Sequence, residues 1–189
     1  MQTAGGVRFG GIRALPMLLL CVCVCVAAAA MAATYSSDAV KAAYLFRFAS
    51  YVEWPGTAGS QAPFVFGVYG AEDVAVHLER LTTEMSVRGR PAEVRRMSRP
   101  ADVEGVQVLY VGPRVFRGSR ALRVATARRQ VLLVTDHPDG LAGGGVINFI
   151  DARPYVRFEI SLKAAERHGL KIDSALLSVA THVEGGEKQ

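Results

Sequence analysis

The chain has 189 residues, of which 50% are hydrophobic, and its 22 Lys and Arg against 17 Asp and Glu give a formal net charge of +5. This length predicts one domain of ordinary size, large enough to bury a core. The small excess of positive charge does not indicate a protein that binds nucleic acid.

The N-terminus has the pattern of a secretory signal. Arg8 and Arg13 precede an apolar run that ends in a series of alanines, which is the order of charged, apolar and small-residue regions in a signal peptide. Ala30 and Ala32 satisfy the small-x-small rule of the cleavage region. We therefore expect cleavage after Ala32 and an exported domain over residues 33–189.

A retained membrane anchor is the alternative explanation of this run. Residues 14–33 are apolar over about the 20 residues that a membrane-spanning helix needs. A lipoprotein is disfavoured, because Leu20 precedes Cys21 where a small residue would be expected. Cys21, Cys23 and Cys25 all lie inside the predicted signal, so the exported domain is expected to contain no thiol and no disulfide.

The positive charge is concentrated in one segment. Twelve arginines and four acidic residues lie between Arg80 and Arg129, whereas the predicted exported domain as a whole has a net charge of +3. Solvated faces of helices and strands are the ordinary explanation of such a segment. A basic surface that faces an acidic partner or membrane headgroups is the alternative.

The first element of the exported domain is predicted to be the helix AVKAAYLFRFASYVEWP, residues 39–55. At 100° per residue Tyr44, Phe48 and Tyr51 form one stripe, and Trp54 with the following proline ends the helix. A membrane span is disfavoured, because the segment is too short and carries ionisable side chains. A helix that is apolar over most of its circumference is expected to be largely buried.

The same helix is also the candidate for a contact with another protein. Its five aromatic residues exceed what one layer of a modest core needs, and exposed aromatic side chains are favoured at interfaces. Tyr44, Tyr51 and Trp54 are the residues that we expect to contact a second copy of the chain or a partner protein.

Strand and helix patterns then alternate along the chain. Continuous β-branched runs predict strands that are covered on both faces, and apolar residues at helical spacing predict amphipathic helices between them. The expected strands are Pro63–Tyr69, Val106–Val111 and Val131–Thr135, with an edge strand in Arg88–Arg96, and the expected helices are Ala71–Met85 and Arg114–Arg129. This order predicts a single compact α/β domain with a mostly parallel sheet flanked by helices.

The C-terminal part is predicted to add an antiparallel hairpin to the sheet. Its strands are Val146–Ile150 and Tyr155–Ser161. Strand alternation places Arg157 and Glu159 side by side on one face, so they are our candidates for binding a small polar ligand, with a simple ion pair as the alternative. A short helix, Leu162–His168, and a last helix over residues 174–183 are expected to follow.

Residue patterns of an enzyme or a metal site are absent from the sequence. The four histidines are scattered, and neither a helical zinc motif nor a nucleophile elbow is present. Glycine-containing stretches at 68–73, 135–140 and 140–145 are predicted to be turns, although strand ends of this kind bind ligands in open α/β sheets. We expect no catalytic residue, no metal and no cofactor.

Two stretches resemble the YfiR family of exported bacterial proteins. These are AVKAAYLFRFASYVEWP and GGVINFIDARPYVRFEISLKAAERHGLKIDSALLSVA. Ser161 replaces the usual asparagine of the family, and Asp173 with Ser174 replaces its common Ser-Ser cap. The missing cysteines are a larger departure, because family members with cysteine pairs can respond to periplasmic oxidation.

The resemblance implies a compact periplasmic α/β domain that is often dimeric. It further implies a regulator that binds the periplasmic sensor domain of an inner-membrane diguanylate cyclase and so lowers cyclic-di-GMP signalling and biofilm formation. Contact with the membrane would then occur only through the partner. A stand-alone periplasmic sensor of a small molecule or of envelope stress is the alternative.

Overall fold

The computed structural model describes residues 36–56, 59–116, 120–152 and 155–185. The predicted signal peptide and its cleavage position lie outside these residues. Within the described ranges, no helix has both the length and the apolar character that crossing a membrane requires.

The described residues form five α-helices, nine strands and one 3-10 turn, Pro100–Asp102. The helices are α1 (Ser37–Tyr51), α2 (Glu72–Glu84), α3 (Arg120–Thr126), α4 (Leu162–Arg167) and α5 (Ser174–Val179). The strands are β1 (Val52–Glu53), β2 (Phe64–Tyr69), β3 (Ala92–Met97), β4 (Val108–Val111), β5 (Leu132–Thr135), β6 (Ile147–Ala152), β7 (Tyr155–Ser161), β8 (Lys171–Ile172) and β9 (His182–Glu184).

Seven strands form one sheet in the order β3-β2-β4-β5-β6-β7-β9. All neighbours from β3 to β6 are parallel, β6 and β7 form an antiparallel hairpin, and β9 runs parallel to β7. Strands β1 and β8 form a separate antiparallel pair. The structure confirms the predicted α/β domain, its mostly parallel sheet and its C-terminal hairpin.

Helices cover both faces of the sheet, as continuous apolar strands require. Phe64, Phe66 and Val68 of β2 point to the face that α1 and α2 cover. Val65, between them, points to the opposite face, where Leu122 of α3 packs. The domain therefore has three layers, with one apolar cluster on each side of the sheet.

Helix α1 lies in the larger of the two clusters. The Ser36 side chain accepts a hydrogen bond from the Ala39 amide at 3.1 Å and so caps the first turn. Phe48 is 1% exposed, and its ring lies 5.1 Å from that of Phe158 in the hairpin. The exposed residues of the central turns form one narrow stripe, Ala43, Arg47 and Ser50. Most of the circumference of α1 is thus buried, as its sequence predicted. The predicted end of the helix at Trp54 is wrong, because Val52 and Glu53 leave the helix and pair with β8.

The last helix is shorter than the sequence predicted. Helix α5 ends at Val179, and the prediction of helix through Val183 is wrong. The Thr181 amide donates to the Phe158 carbonyl at 2.8 Å, and β9 pairs with Glu159–Ser161 of β7. Hydrogen bonds to a distant strand therefore replace those of another helical turn.

Helix α3 is also shorter than its predicted range, Arg114–Arg129. The Gly112 carbonyl accepts hydrogen bonds from the amides of Val115 and Phe116 at 3.2 and 3.1 Å, which makes the segment after β4 a turn. At the other end Arg128 has a positive φ of 59°, a backbone conformation that cannot continue a helix.

The buried position of α1 leads to a prediction about stability. We expect Phe48→Ala to lower the free energy of unfolding by about 3–5 kcal/mol, because it leaves a cavity between the helix and the hairpin. Urea denaturation measures the change. Arg47→Ala, one position away on the exposed stripe, is the control and should change stability by less than about 0.5 kcal/mol. Equal effects of the two substitutions would contradict the position of α1.

Candidate functional site

The strand order creates a gap at the carboxyl ends of β2 and β4. After β2 the chain passes through α2 on one face of the sheet to the edge strand β3, whereas after β4 it passes through α3 on the other face to β5. Connections that leave two adjacent parallel strands in opposite directions open a crevice between them, and ligands of open α/β sheets bind there.

A cleft of about 480 Å³ occupies this position. We call it the switch-point cleft. It combines side chains from α1, the start of α2, strand β3 and the segments that follow β2, β4 and β5. The charged residues that line it are Asp38, Lys41, Glu72, Asp73, Arg96, Arg114 and Asp136.

Two glycines allow the segments after β2 and β4 to approach each other at this cleft. Gly70 has a φ of +69°, and a side chain there would collide with Val115. A Cβ atom at Gly112 would collide with the carbonyl oxygen of Gly70. The predicted turn at 68–73 is therefore present, and its glycine is required by both its conformation and its neighbours.

A lysine, an aspartate and a tyrosine form a hydrogen-bonded network in the cleft. Lys41 Nζ of α1 lies 2.7 Å from Asp136 Oδ2, and the two side chains are only 12% and 14% exposed. The Tyr110 hydroxyl of β4 donates to the same oxygen at 3.2 Å. Burial, followed by the nearby negative charge of Asp136, raises the pKa of Tyr110, so this hydroxyl keeps its proton and remains a donor.

The remaining charges of the cleft include both signs. Arg96 pairs with Glu72 and with Glu79 on the surface of α2. Arg114 and Asp73 are exposed side chains that also line the cleft. A cleft with cations and anions on its walls is suited to a small polar molecule that carries complementary groups. In the described part of the chain, no cluster of three His, Cys, Asp or Glu could hold a metal ion.

The aromatic residues that were predicted to contact a partner differ in their exposure. Trp54 is 6% exposed and packs edge-on against Phe64 with 5.2 Å between the ring centroids. Tyr44 and Tyr51 are partly buried and lie against the core. The tyrosines, more than Trp54, leave surface that another protein could contact, and the partner contact stays a prediction.

In the structure, Arg157 and Glu159 have different neighbours. Both lie on the same face of β7, in agreement with the predicted alternation. The Glu159 carboxylate accepts a hydrogen bond from Asn148 Nδ2 at 2.9 Å, whereas Arg157 lines a shallow groove together with Tyr44. Whether either residue binds a ligand stays a prediction.

This groove, which we call the β7 groove, brings two of the predicted site residues together. It has a volume of about 310 Å³, and polar and apolar atoms contribute about equally to its lining. Tyr155 and Val179, at its rim, are 65% and 66% exposed. Its lining residues are Val40, Tyr44, Tyr155, Val156, Arg157, Phe158 and Val179.

Sequence reasoning missed the network of Lys41, Tyr110 and Asp136. Two signals could have pointed to it. Lys41 is a cation in a nearly apolar helix, and Asp136 directly follows a buried strand. The turn at 135–140, which contains Asp136, is observed as predicted, and the Asn148 side chain accepts a hydrogen bond from its His137 amide at 3.2 Å.

Comparison with protein families identifies the chain. The YfiR/HmsC-like family model matches residues 38–181, which include α1 except its first residue, the hairpin and every charged residue of the switch-point cleft. The chain belongs to the YfiR/HmsC-like family. Membership implies a periplasmic regulator of a diguanylate cyclase. No curated protein sequence matches the chain.

The partly buried ion pair of this YfiR/HmsC-like protein can be tested by a double-mutant cycle. We expect Lys41→Met to lower the free energy of unfolding by about 2 kcal/mol, because it leaves the Asp136 carboxylate charged and poorly solvated. Adding Asp136→Leu should restore part of that loss, because the double variant buries no charge there. Urea denaturation of the unmodified protein, the two single variants and the double variant gives the coupling free energy between the two side chains.

Asp38→Asn is the control for this cycle. Asp38 Oδ1 lies 4.0 Å from the same Lys41 Nζ, but its side chain is 40% exposed, so its removal should cost less than about 1 kcal/mol. If the effects of the Lys41 and Asp136 substitutions on the free energy of unfolding simply add, the interaction between the two side chains contributes nothing to stability.

Proposed function

We propose that this protein is a periplasmic repressor that binds the periplasmic sensor domain of an inner-membrane diguanylate cyclase. Binding would hold the cyclase inactive and lower cyclic-di-GMP and biofilm formation. The observation that carries the proposal is the match of the YfiR/HmsC-like family over residues 38–181. The proposed role is one of binding and regulation, without catalysis.

The surface formed by α1 and the β7 groove is our candidate for the contact with the cyclase. Tyr44 lines the groove beside the exposed side chains of Tyr155 and Val179, and Tyr51 lies two turns further along the same helix face. Arg157 adds a charged group at the same place. Tyrosine and arginine are among the residues that contribute most to protein interfaces. The same surface is our candidate for self-association as a homodimer.

Repression requires a difference in affinity between two states of the partner. A protein that bound active and inactive cyclase equally would not change the equilibrium between them, however tightly it bound. Each factor of ten in the ratio of the two affinities contributes about 1.4 kcal/mol to repression. The β7 groove would therefore have to fit the inactive sensor domain better than the active one.

The switch-point cleft favours a second candidate function, that of a small-molecule sensor. Its volume of about 480 Å³ is within the usual range for ligand sites, roughly 300–1,000 Å³. Lys41 and Tyr44 lie one turn apart on α1, so the cleft and the β7 groove share a helix. A ligand that competed for Asp136 would act on the same helix that we expect the cyclase to contact.

The proposal also requires export. We propose that residues 1–32 are a cleaved signal peptide and that residues 33–189 are released into the periplasm. Sequencing the N-terminus of protein purified from the periplasmic fraction should find Ala33 or a close neighbour. A full-length chain retained in the membrane fraction would instead support the anchor.

Substitutions in the β7 groove test the proposed contact. We expect Tyr44→Ala or Tyr155→Ala to weaken binding to the purified sensor domain by about 2 kcal/mol, or roughly 30-fold in Kd. Tyr51→Ala should also weaken binding to the sensor domain. Biolayer interferometry with the folded variants gives the affinities. Trp54→Ala is unsuitable, because loss of a buried tryptophan destabilises the fold itself.

Val124→Ala is the matched control for these variants. Val124 is 67% exposed, lies on α3 and does not line the β7 groove, so its loss should leave the affinity unchanged. If the groove variants stay folded and bind as well as the unmodified protein, the contact lies elsewhere. Cyclic-di-GMP levels in cells with and without the gene then test repression independently of the contact.

A further inference from the structure

The sheet ends on one side in β3, whose outer edge has no neighbouring strand among the described residues. The Phe64 amide of β2 donates to the Pro91 carbonyl at 2.7 Å, and Phe64 lies opposite Ala92. Residues that bond to a neighbour alternate along a parallel strand, so the backbones of Glu93 and Arg95 bond to β2. The N–H and C=O groups that point outward, which we call the β3 edge, belong to Ala92, Val94 and Arg96.

The β3 edge lacks the backbone features by which proteins usually block an edge strand. Short strands, prolines and bulges prevent such a strand from pairing with another chain. Strand β3 has six residues without a proline, and its register with β2 is regular from Ala92 to Met97. No described residue forms a hydrogen bond with the outward N–H and C=O groups. The edge can therefore accept another strand.

Charged side chains are a further protection of edge strands, but the charges of β3 alternate in sign. Glu93 and Arg95 lie on the same face of the strand, with side chains 51% and 42% exposed and 3.5 Å between Glu93 Oε1 and Arg95 Nη2. Arg95 Nη1 also donates to the Glu104 carbonyl at 2.7 Å, which fixes its position. The two opposite charges are thus placed symmetrically about Val94.

An antiparallel second copy of β3 meets complementary charges in one register. When Val94 lies opposite Val94 of the second copy, Glu93 lies opposite Arg95 and Arg95 lies opposite Glu93. Opposite charges in such cross-strand positions stabilise a strand pair. Ala92, whose side chain is small, then lies opposite Arg96. In this register every outward N–H and C=O group of the strand has a partner.

The neighbouring registers are less favourable. A shift of the centre by one residue toward Ala92 places Glu93 opposite Glu93, and a shift toward Met97 places Arg95 opposite Arg95. Like charges directly opposite each other destabilise a strand pair. Each shift also leaves outward groups at one end of the strand without a partner. The charge pattern therefore favours the register with the most backbone hydrogen bonds.

The helix that covers β3 leaves space for this arrangement. Helix α2 connects β2 to β3 and buries Val74 and Leu78 against the sheet. Because a helix in this position covers two strands, a two-fold axis at Val94 places the two α2 helices about 8–10 Å apart, the ordinary distance for packed helices. Arg96 stays paired with Glu72 of its own α2.

We propose that two copies of this chain join through the β3 edge into one continuous sheet, about a two-fold axis at Val94. The contact lies near the opposite end of the sheet from β7, so each copy keeps its β7 groove free for another protein. The β3 edge is thus a different surface for self-association from the groove. The inference rests on the homodimer of the proposed function, but not on the cyclase.

Charge reversal tests the contact. We expect the unmodified exported chain to sediment as a dimer. Glu93→Arg and Arg95→Glu should each raise the dissociation constant of the dimer by about 30-fold, since each creates two contacts between like charges. An equimolar mixture of the two variants should recover a dimer, because one chain then carries only positive charges at these positions and the other only negative charges. Native mass spectrometry distinguishes this heterodimer from the homodimers by mass.

Glu166→Arg is the matched control. It makes the same change of charge at an exposed position of α4, which follows β7, so it should leave the dissociation constant of the dimer unchanged. Hydrogen exchange of backbone amides then locates the contact. The Val94 amide should exchange slowly in the dimer and rapidly in the Glu93→Arg monomer, whereas the Arg95 amide, which bonds to β2, should be protected in both.

The proposal is overturned if the unmodified chain is a monomer at every concentration at which it stays soluble, or if both charge reversals leave the dimer intact. It is also overturned if the Val94 amide exchanges equally fast in dimer and monomer. Loss of the dimer in Tyr155→Ala but not in Glu93→Arg would assign self-association to the β7 groove instead. If Arg95→Glu lowers the melting temperature, Glu93→Arg and the Val94 amide decide alone. All these outcomes are measured without a cyclase and leave the proposed binding to its sensor domain unaffected.

Discussion

The packing of α1 on the sheet is the contact on which the rest of the structure depends. Phe48 packs against Phe149 and Phe158 at centroid distances of 5.9 and 5.1 Å, and so joins the first helix of the described domain to its C-terminal hairpin. Burial of such aromatic surface is a large favourable contribution to folding. With α1 held there, Lys41 reaches Asp136 and Tyr44 reaches the β7 groove.

The shared helix gives the proposed regulation a physical route. The ion pair of Lys41 with Asp136 connects the switch-point cleft to α1, and the β7 groove includes Tyr44, three residues further along the same helix. A ligand and a protein partner that prefer different positions of α1 would influence each other's binding to the same extent. The partly buried pair is a suitable element for such coupling, because a charge that loses its partner where little water reaches it raises the free energy of the folded state.

The basic character of the chain has a structural explanation that its sequence left open. The arginine-rich segment could form solvated faces or a basic surface. Arg96 belongs to the first kind, because it pairs with Glu72 and Glu79 on an exposed face. Arg123 and Arg128 belong to a cavity that also includes Arg167, from a part of the chain about 40 residues away. The same residue type therefore has different surroundings in the two places.

The sequence alone determined the elements whose side chains repeat with a clear period. Buried strands such as Val131–Thr135 were predictable because β-branched runs suit a sheet covered on both faces, and the hairpin was predictable from the alternation of Val156, Phe158 and Ile160. The burial of α1 followed from its apolar circumference. These features depend on local pattern and on the hydrophobic effect, both of which can be read along the chain.

Tertiary structure decided the features that depend on residues far apart in sequence. The segment after Val179 is a strand because its hydrogen bonds go to β7, and Trp54 is buried because it packs against Phe64. The pairing of Lys41 with Asp136 and the meeting of Arg123, Arg128 and Arg167 follow from strand order and helix placement. No local pattern encodes such contacts, because each one forms only when the sheet brings its partners together.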